Sequence, residues 1–310
     1  MTFELTILGS SSALPTASRF PTAHLLQANE RFFLIDCGEG TQMQLRRYGK
    51  NPARIHHIFI SHLHGDHVFG LFGLLSTMGL MGRTQPLHLY GPEALRDLLQ
   101  DHLRMFGPLP FPYVVHGPGN TAGPVVYEDK NLEVRRLPLR HRTITFGYLF
   151  REKHPLLNIR TDKIQEHGLS RAEIWQAKQG HDIGRSGGAV LSNGELTLPP
   201  YHARSYAYIS DTAHMPGLAE ELKGVDLLYH EATFMDKDSR LAAETGHSTA
   251  SQAASLARDA GAGRLLLGHF SSRYRDLSGM AEEARSVFPA TDLVTDGEVD
   301  SLPRRRTSPE

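Results

Sequence analysis

Phe3, Leu5 and Ile7 alternate with polar neighbours, the period-two pattern of a strand, and Gly9-Ser10-Ser11-Ser12 ends the run. Two short apolar runs, His24–Gln27 and Phe32–Asp36, flank Ala28-Asn29-Glu30 and read as a hairpin. Thr41 is placed to cap a helix that runs to about Tyr48 and stops at Gly49. Ile55–Ile60 is a β-branched strand, Leu71–Met81 an apolar helix, and Pro86–Tyr90 a further strand. Leu95, Leu98, Leu99 and Leu103 give Pro92–Met105 helical spacing. Strands follow at Leu132–Leu137, Thr143–Phe150, Tyr206–Ile209, Leu227–Tyr229 and Leu265–Leu267, with helices at about 216–222 and 249–260. In each half a run of strands gives way to alternating strands and helices. That order predicts an α/β fold of two sheets packed face to face and covered by helices, a four-layer αββα sandwich built from two related halves. No internal repeat in the sequence marks the halves.

Residues 151–200 break the alternation. They are polar and carry Pro155, Gly168, Gly180, Gly184, Gly187, Gly188, Pro199 and Pro200. Ser170-Arg171-Ala172-Glu173 is a capping box ahead of one short helix, which holds Trp175, the one tryptophan, expected to be a packing anchor. Seven Lys/Arg against five Asp/Glu over 151–190 leave a local charge of +2. The segment is read as an arm, about 151–190, inserted in a single domain of residues 1–302. The tail from Pro303, with Arg304-Arg305-Arg306, is expected to be disordered.

Composition narrows the function classes. Over 310 residues, 33 Lys and Arg against 34 Asp and Glu give a net charge of −1, so global charge does not point to nucleic acid and any basic surface is local. Cys37 is the single cysteine, which excludes an internal disulfide and fits a reducing cytoplasm. No apolar run reaches the roughly 18 residues of a membrane span, and Met1-Thr2-Phe3-Glu4 lacks the basic start of a signal peptide. Histidine is the outlier, at 18 residues.

The densest chemistry follows the strand Ile55–Ile60 directly, in Ser61-His62-Leu63-His64-Gly65-Asp66-His67. Open α/β sheets place their sites at the carboxyl ends of strands. His62 and His64 are two apart and project to one side of an extended segment. Gly65 permits a sharp turn that brings Asp66 and His67 round. Imidazole with carboxylate suits zinc, and a mixed nitrogen and oxygen set suits two divalent ions bridged by a carboxylate; manganese or iron tolerates the same donors. Four residues cannot complete two sites, so further ligands are expected at other strand ends. His141 after Leu132–Leu137, Asp211 after Tyr206–Ser210 and His269 after Leu265–Gly268 share that context.

His62-Leu63-His64-Gly65-Asp66-His67 resembles the HxHxDH signature of the metallo-β-lactamase fold, and Ser210-Asp211-Thr212 and Gly268-His269-Phe270 resemble its later metal motifs. The resemblance extends to the ribonuclease Z family through Leu8–Thr16, Ile35–Gln42, His230-Glu231-Ala232-Thr233, His247-Ser248-Thr249 and Phe270–Tyr274, over about residues 3–300. It implies a zinc-dependent endoribonuclease that cuts the 3′ trailer from precursor tRNA, leaving a 3′-hydroxyl on the tRNA and a 5′-phosphate on the trailer. By the same resemblance, a metal-activated hydroxide would attack the phosphorus. The resemblance further implies two zinc ions per subunit. His62, His64 and His141 would hold one, Asp66, His67 and His269 the other, and Asp211 would bridge them. Asp66 would also accept a proton, His247 would protonate the leaving 3′-oxygen, and Glu231 would orient His247. A cytoplasmic homodimer is implied as well. The loop Pro15-Thr16-Ala17-Ser18-Arg19-Phe20 departs from the family's PxKxRN and keeps only Arg19 to meet a phosphate, and the arm lacks the family's Gly-Pro motif.

Three rival readings fit part of the pattern. A general phosphodiesterase or exoribonuclease would keep the site and change the substrate. A lactonase or thioesterase would leave Glu231, His247 and the arm without a role. A binding protein with a degenerate site would not keep seven intact ligands.

Overall fold

Neighbouring side chains of the strand Arg31–Ile35 enter different cores: Phe33 and Ile35 pack between two sheets, and Phe32 and Leu34 pack under helices. A strand alternates its faces, so this strand lies in a sheet buried on both sides. The structure is a computed structural model that describes residues 2–120, 123–153 and 156–306. The first sheet has the strand order 299–301, 3–9, 23–28, 31–35, 55–59, 87–90, 113–116. The second has the order 291–293, 264–268, 227–231, 205–209, 144–152, 132–140, 125–128. Each sheet joins an antiparallel part to a parallel part, as the two related halves require.

Helices Thr41–Arg47, Gly70–Leu80 and Ala94–Phe106 cover the outer face of the first sheet through Leu45, Leu71, Leu74, Met78, Leu95 and Leu99. Helices Ala250–Asp259 and Ser278–Val287 cover the second through Ala253, Ala257, Met280 and Ala284. The αββα reading holds. Gly70–Leu80 divides between two roles, because Leu71, Leu74, Leu75 and Met78 are fully buried while Leu80 is 88% exposed and the flanking Phe69 62%.

Local differences have physical causes. Thr41 does not cap its helix: Gly40, at φ 83°, occupies that position, and the Thr41 hydroxyl donates to the Gly38 carbonyl at 2.7 Å. The strand Val299–Ser301 carries no apolar pattern and exists by pairing with the first strand, Glu4 opposite Ser301. Residues 303–306 are ordered, contrary to the expectation of a loose tail. The His202 amide donates to the Arg305 carbonyl at 2.7 Å and the Arg304 guanidinium lies 4.2 Å from the Tyr201 ring centre. Residues 307–310 lie outside the described residues.

The excursion leaves the strand Ile144–Glu152 and returns at Ser205–Ile209, where Ser205 pairs with Arg151. Arg204 clasps both Glu152 oxygens, at 2.7 and 2.9 Å, and closes the root. The span is therefore 153–204, longer than 151–190, because Leu196 joins Leu169, Ala177 and Ile183 in its small core. The Ser170–Glu173 capping box is formed. Trp175 is not an anchor: it is 54% exposed, beside Tyr201 and Arg304 at the root.

Candidate metal centre

All seven expected ligands stand at one edge of the two sheets. His62 and His64 follow Ile55–Phe59, and one turn of helix, Gly65–Val68, carries Asp66 and His67. His141 occupies the turn after Leu132–Arg140, Asp211 follows Ser205–Ile209, and His269 follows Arg264–Gly268. Their ligand atoms converge in groups: His62, His64, His141 and Asp211 form one, and Asp66, His67 and His269 another. His62, His67, Asp211 and His269 are buried, and His64 is exposed at the mouth. Gly65 has no left-handed φ; the short helix itself makes the turn. Asp36 and His269 do have left-handed backbones, φ 55° and 59°, a strain of about 1–3 kcal/mol each that recurs at functional sites.

Hydrogen bonds fix four imidazoles in one tautomer. His67 Nδ1 donates to Asp36 Oδ2 at 2.7 Å, and His141 Nδ1 donates to the Gly246 carbonyl at 2.8 Å. Ser61 Oγ gives its proton to Asp36 at 2.8 Å, so it accepts from His62 Nδ1 at 3.0 Å. Thr233 Oγ1 gives its proton to Glu231 at 2.7 Å, so it accepts from His269 Nδ1 at 2.8 Å. Each Nε2 then presents a lone pair to the centre, as a metal-binding histidine with an anchored Nδ1 does. Asp211 divides its two oxygens between the groups. Oδ1 lies 3.2 Å from His269 Nε2 and 3.5 Å from His67 Nε2; Oδ2 lies 3.6 Å from His62 Nε2 and 3.9 Å from His141 Nε2. His141 Nε2 is buried with no hydrogen-bond partner among the described residues. Four imidazole lone pairs and the carboxylates of Asp66 and Asp211 converge, so the residues fit divalent metal ions.

The electrostatics agree. Burial opposes charge on Asp66 and Asp211, yet the surrounding imidazoles hold both far below the usual carboxylate range. Burial likewise opposes charge on His67, but Asp211, Asp66 and Asp36 raise it well above the ordinary value, so the cluster attracts positive charge. Beside the centre, Glu231 is wholly buried and its Oε1 accepts from His247 Nδ1 at 2.9 Å, Ser248 N at 3.0 Å and Thr212 N at 3.1 Å. Burial works against the His247 cation, but Glu231 outweighs it and lifts the group to about 9. His247 Nδ1 is thereby occupied, which leaves Nε2 for a reacting group.

Residues 146–270 match the model of a beta-lactamase superfamily domain, and residues 3–106 that of the anti-Pycsar protein Apyc1. Ribonuclease Z of Bacteroides fragilis strain YCH46 is 45% identical over 301 residues, which cover 97% of this chain and 99% of that protein. Ribonuclease Z of Cytophaga hutchinsonii is 46% identical over 299 residues, covering 96% and 95%. The chain belongs to the ribonuclease Z family. The crystal structure of human tRNase Z, short form, is similar at a TM-score of 0.69 and 30% identity, covering 97% of this chain and 99% of that one.

Against this ribonuclease Z family background, two site residues escape a reading of the sequence for ligands. Asp36 is fully buried and takes hydrogen bonds from Ser61 N, Ser61 Oγ, Tyr208 Oη and His67 Nδ1. Its signal is a carboxylate at the end of an apolar strand. Asp296 accepts from Ser10 Oγ at 2.6 Å and Phe20 N at 2.7 Å, which pins the loop that departs from PxKxRN. Arg19 consequently lies 5.6 Å from the Phe270 ring centre, one residue from the candidate ligand His269. Cys37 is buried and its thiol is pushed up to about 12, which leaves it inert.

Proposed function

We propose that this chain is a metal-dependent endoribonuclease that removes 3′ trailers from precursor tRNA, leaving a 3′-hydroxyl on the tRNA and a 5′-phosphate on the trailer. The observation that carries the reading is the His247–Glu231 pair set beside a carboxylate, Asp211, whose two oxygens serve two ligand groups. His62, His64 and His141 would hold one ion, Asp66, His67 and His269 the other, with Asp211 between them; zinc suits these donors. Bound ions supply Lewis-acid charge at the phosphoryl oxygens and lower the pKa of water. Asp66, with Oδ2 3.4 Å from both His67 Nε2 and His269 Nε2, accepts the proton of the attacking water. His247 donates its Nε2 proton to the departing 3′-oxygen, and Glu231 keeps it charged and aimed. Arg19 contacts a phosphate beside Phe270.

The reading includes a cytoplasmic homodimer. Among the described residues no helix is long and apolar enough to cross a membrane. An apolar surface with Leu80 88% exposed, Phe106 75% and Met105 69% supports a subunit contact. The arm, 153–204, grips the tRNA body, and it leaves its strand at the end opposite the metal centre. The experiment is cleavage of a precursor tRNA beside a small phosphodiester, each with and without chelator. Chelator-sensitive release of an intact trailer supports the reading. Stepwise shortening from the 3′ end, or cleavage of the diester alone, overturns it.

A further inference from the structure

A cavity of about 410 Å³ borders the candidate metal centre at His141 and His247, and Arg140 and Arg142 also wall it. It lies within the range of small-molecule sites, about 300–1,000 Å³. Ala213, Ala243 and Gly246 line it with little side-chain bulk, so a flat group has room beside His247. Gly246 is required there: its φ is 75°, and a Cβ would stand 3.1 Å from His141 Nδ1.

The two arginines are held in an unusual way. Arg140 Nη2 donates to the His214 carbonyl at 2.8 Å, and Arg142 Nη2 donates to the Glu244 carbonyl at 3.1 Å. Among the described residues neither has a carboxylate partner. The one carboxylate in the lining, Glu244, is paired with Arg240 at 2.8 Å. Main-chain carbonyls thus aim both guanidinium groups without neutralising them, and each keeps further N–H donors in the fork geometry that matches phosphate.

His247 decides which part of the substrate enters. An acid for the departing 3′-oxygen stands on the side of the ribose that bears it. That ribose belongs to the last nucleotide kept on the tRNA, and this cavity is the one that His247 itself lines. We propose that the cavity is the subsite for that nucleotide, and that Arg140 and Arg142 clamp the phosphate on its 5′ side. The assignment rests on the proposed reaction and on His247 as its acid. It makes the two arginines determinants of where the cut falls, since they fix the distance between a gripped phosphate and the scissile one.

The test is a double cycle on kcat/KM. One arm replaces Arg142 by Ala, with Arg142→Lys as a second variant. The other arm uses a precursor tRNA in which a neutral methylphosphonate replaces the phosphate 5′ of the last retained nucleotide. Each change alone should cost about tenfold, the lower end for a charge-assisted hydrogen bond because the guanidinium is exposed. Together they should cost little more than either alone, because the contact can be lost once. A methylphosphonate two linkages further 5′ should instead add to Arg142→Ala. Bound metal is counted by mass spectrometry in each variant. Additive losses at the adjacent linkage, or loss of metal in Arg142→Ala, overturn the subsite while the proposed function stands. Wild-type protein that leaves the precursor uncut overturns both.

Discussion

Glu231→Gln keeps the shape of the side chain and removes its charge, so it isolates what that charge does. His247 stands at about 9 beside Glu231, against an ordinary value of 6.5. At pH 8 a group at 9 is about 90% charged and a group at 6.5 about 3%, a loss of about 30-fold in competent acid. At pH 6 the corresponding loss is only about 1.3-fold. The amide also disturbs orientation, because one side of it must face the Thr233 N–H that now donates to Oε2 at 2.9 Å. That penalty is the same at both pH values and cancels in their ratio. The ratio of the losses at pH 8 and pH 6 should therefore approach about 20-fold. Asp211 also lifts His247, and glutamine leaves that share in place, so this figure is a ceiling. Bound cations lower both values together, so the two pH values compared are set one and three units below the wild-type acid's own pKa, read from its profile. The sign for stability follows from the same shift. The folded value is raised, so the pair stabilises below about 6.5 and its contribution disappears as pH rises through about 9. The assay is a pH profile of kcat on precursor tRNA for wild type, Glu231→Gln and His247→Ala, with metal content measured in each. Equal losses at those two points would refute the idea that Glu231 acts through the His247 proton. So would additive losses in the double variant, since residues that act as one unit do not sum.

Asp211→Ala should bind fewer than two metal ions per chain by mass spectrometry and lose most activity; two full equivalents at wild-type rate would rule out a shared carboxylate. Deleting residues 153–204 and joining 152 to 205 with a short turn should raise KM for precursor tRNA steeply and change hydrolysis of a small phosphodiester little, whereas collapse of both activities would show a structural role. His57 is pulled down to about 3 by burial and the neighbouring imidazoles, with His88 stacked at 5.3 Å. A folded value below the unfolded one means stability is lost as pH falls from 6.5 toward 3, up to about 2–3 kcal/mol by pH 4.5. His57→Phe should flatten the fall of the urea midpoint between pH 7 and pH 4.5, and an unchanged fall would remove His57 as its source.

What the sequence discloses depends on whether a residue's role is local. His62, Asp66 and His67 share one loop after one strand, so their spacing is enough. His141, Asp211 and His269 are legible because each follows an apolar run, and strands of one sheet end together. Asp36 shares that context and was not expected among the site residues, because its role is to hold His67 and Ser61, a contact across 31 and 25 positions of sequence. Val299–Ser301 is invisible for a similar reason: its partner strand lies at the other end of the chain. Arg304 looks like part of a loose basic tail until Tyr201 is brought beneath it. Trp175 shows the opposite failure. Helical context and hydrophobicity suggest a buried anchor, but the arm is too small to enclose an indole, and Ala177 on the same helix is buried instead.

The placement of the arm follows from strand polarity. His141 stands just before Ile144–Glu152, and the excursion begins just after it. Nine residues at about 3.4 Å each put roughly 30 Å between the ligand end of that strand and the arm root. Arg204 and Glu152 fix the root, so the arm cannot pivot there toward its own centre without breaking a bidentate ion pair. In the proposed homodimer, chemistry at one edge of the sheets and tRNA binding by the arm at the other would be reconciled if a second copy turned its centre toward the first copy's arm. A two-fold pair does this twice with one surface. The exposed apolar side chains of Leu80, Met105 and Phe106 stand at the C-terminal ends of two helices over the first sheet and offer such a pairing an apolar surface.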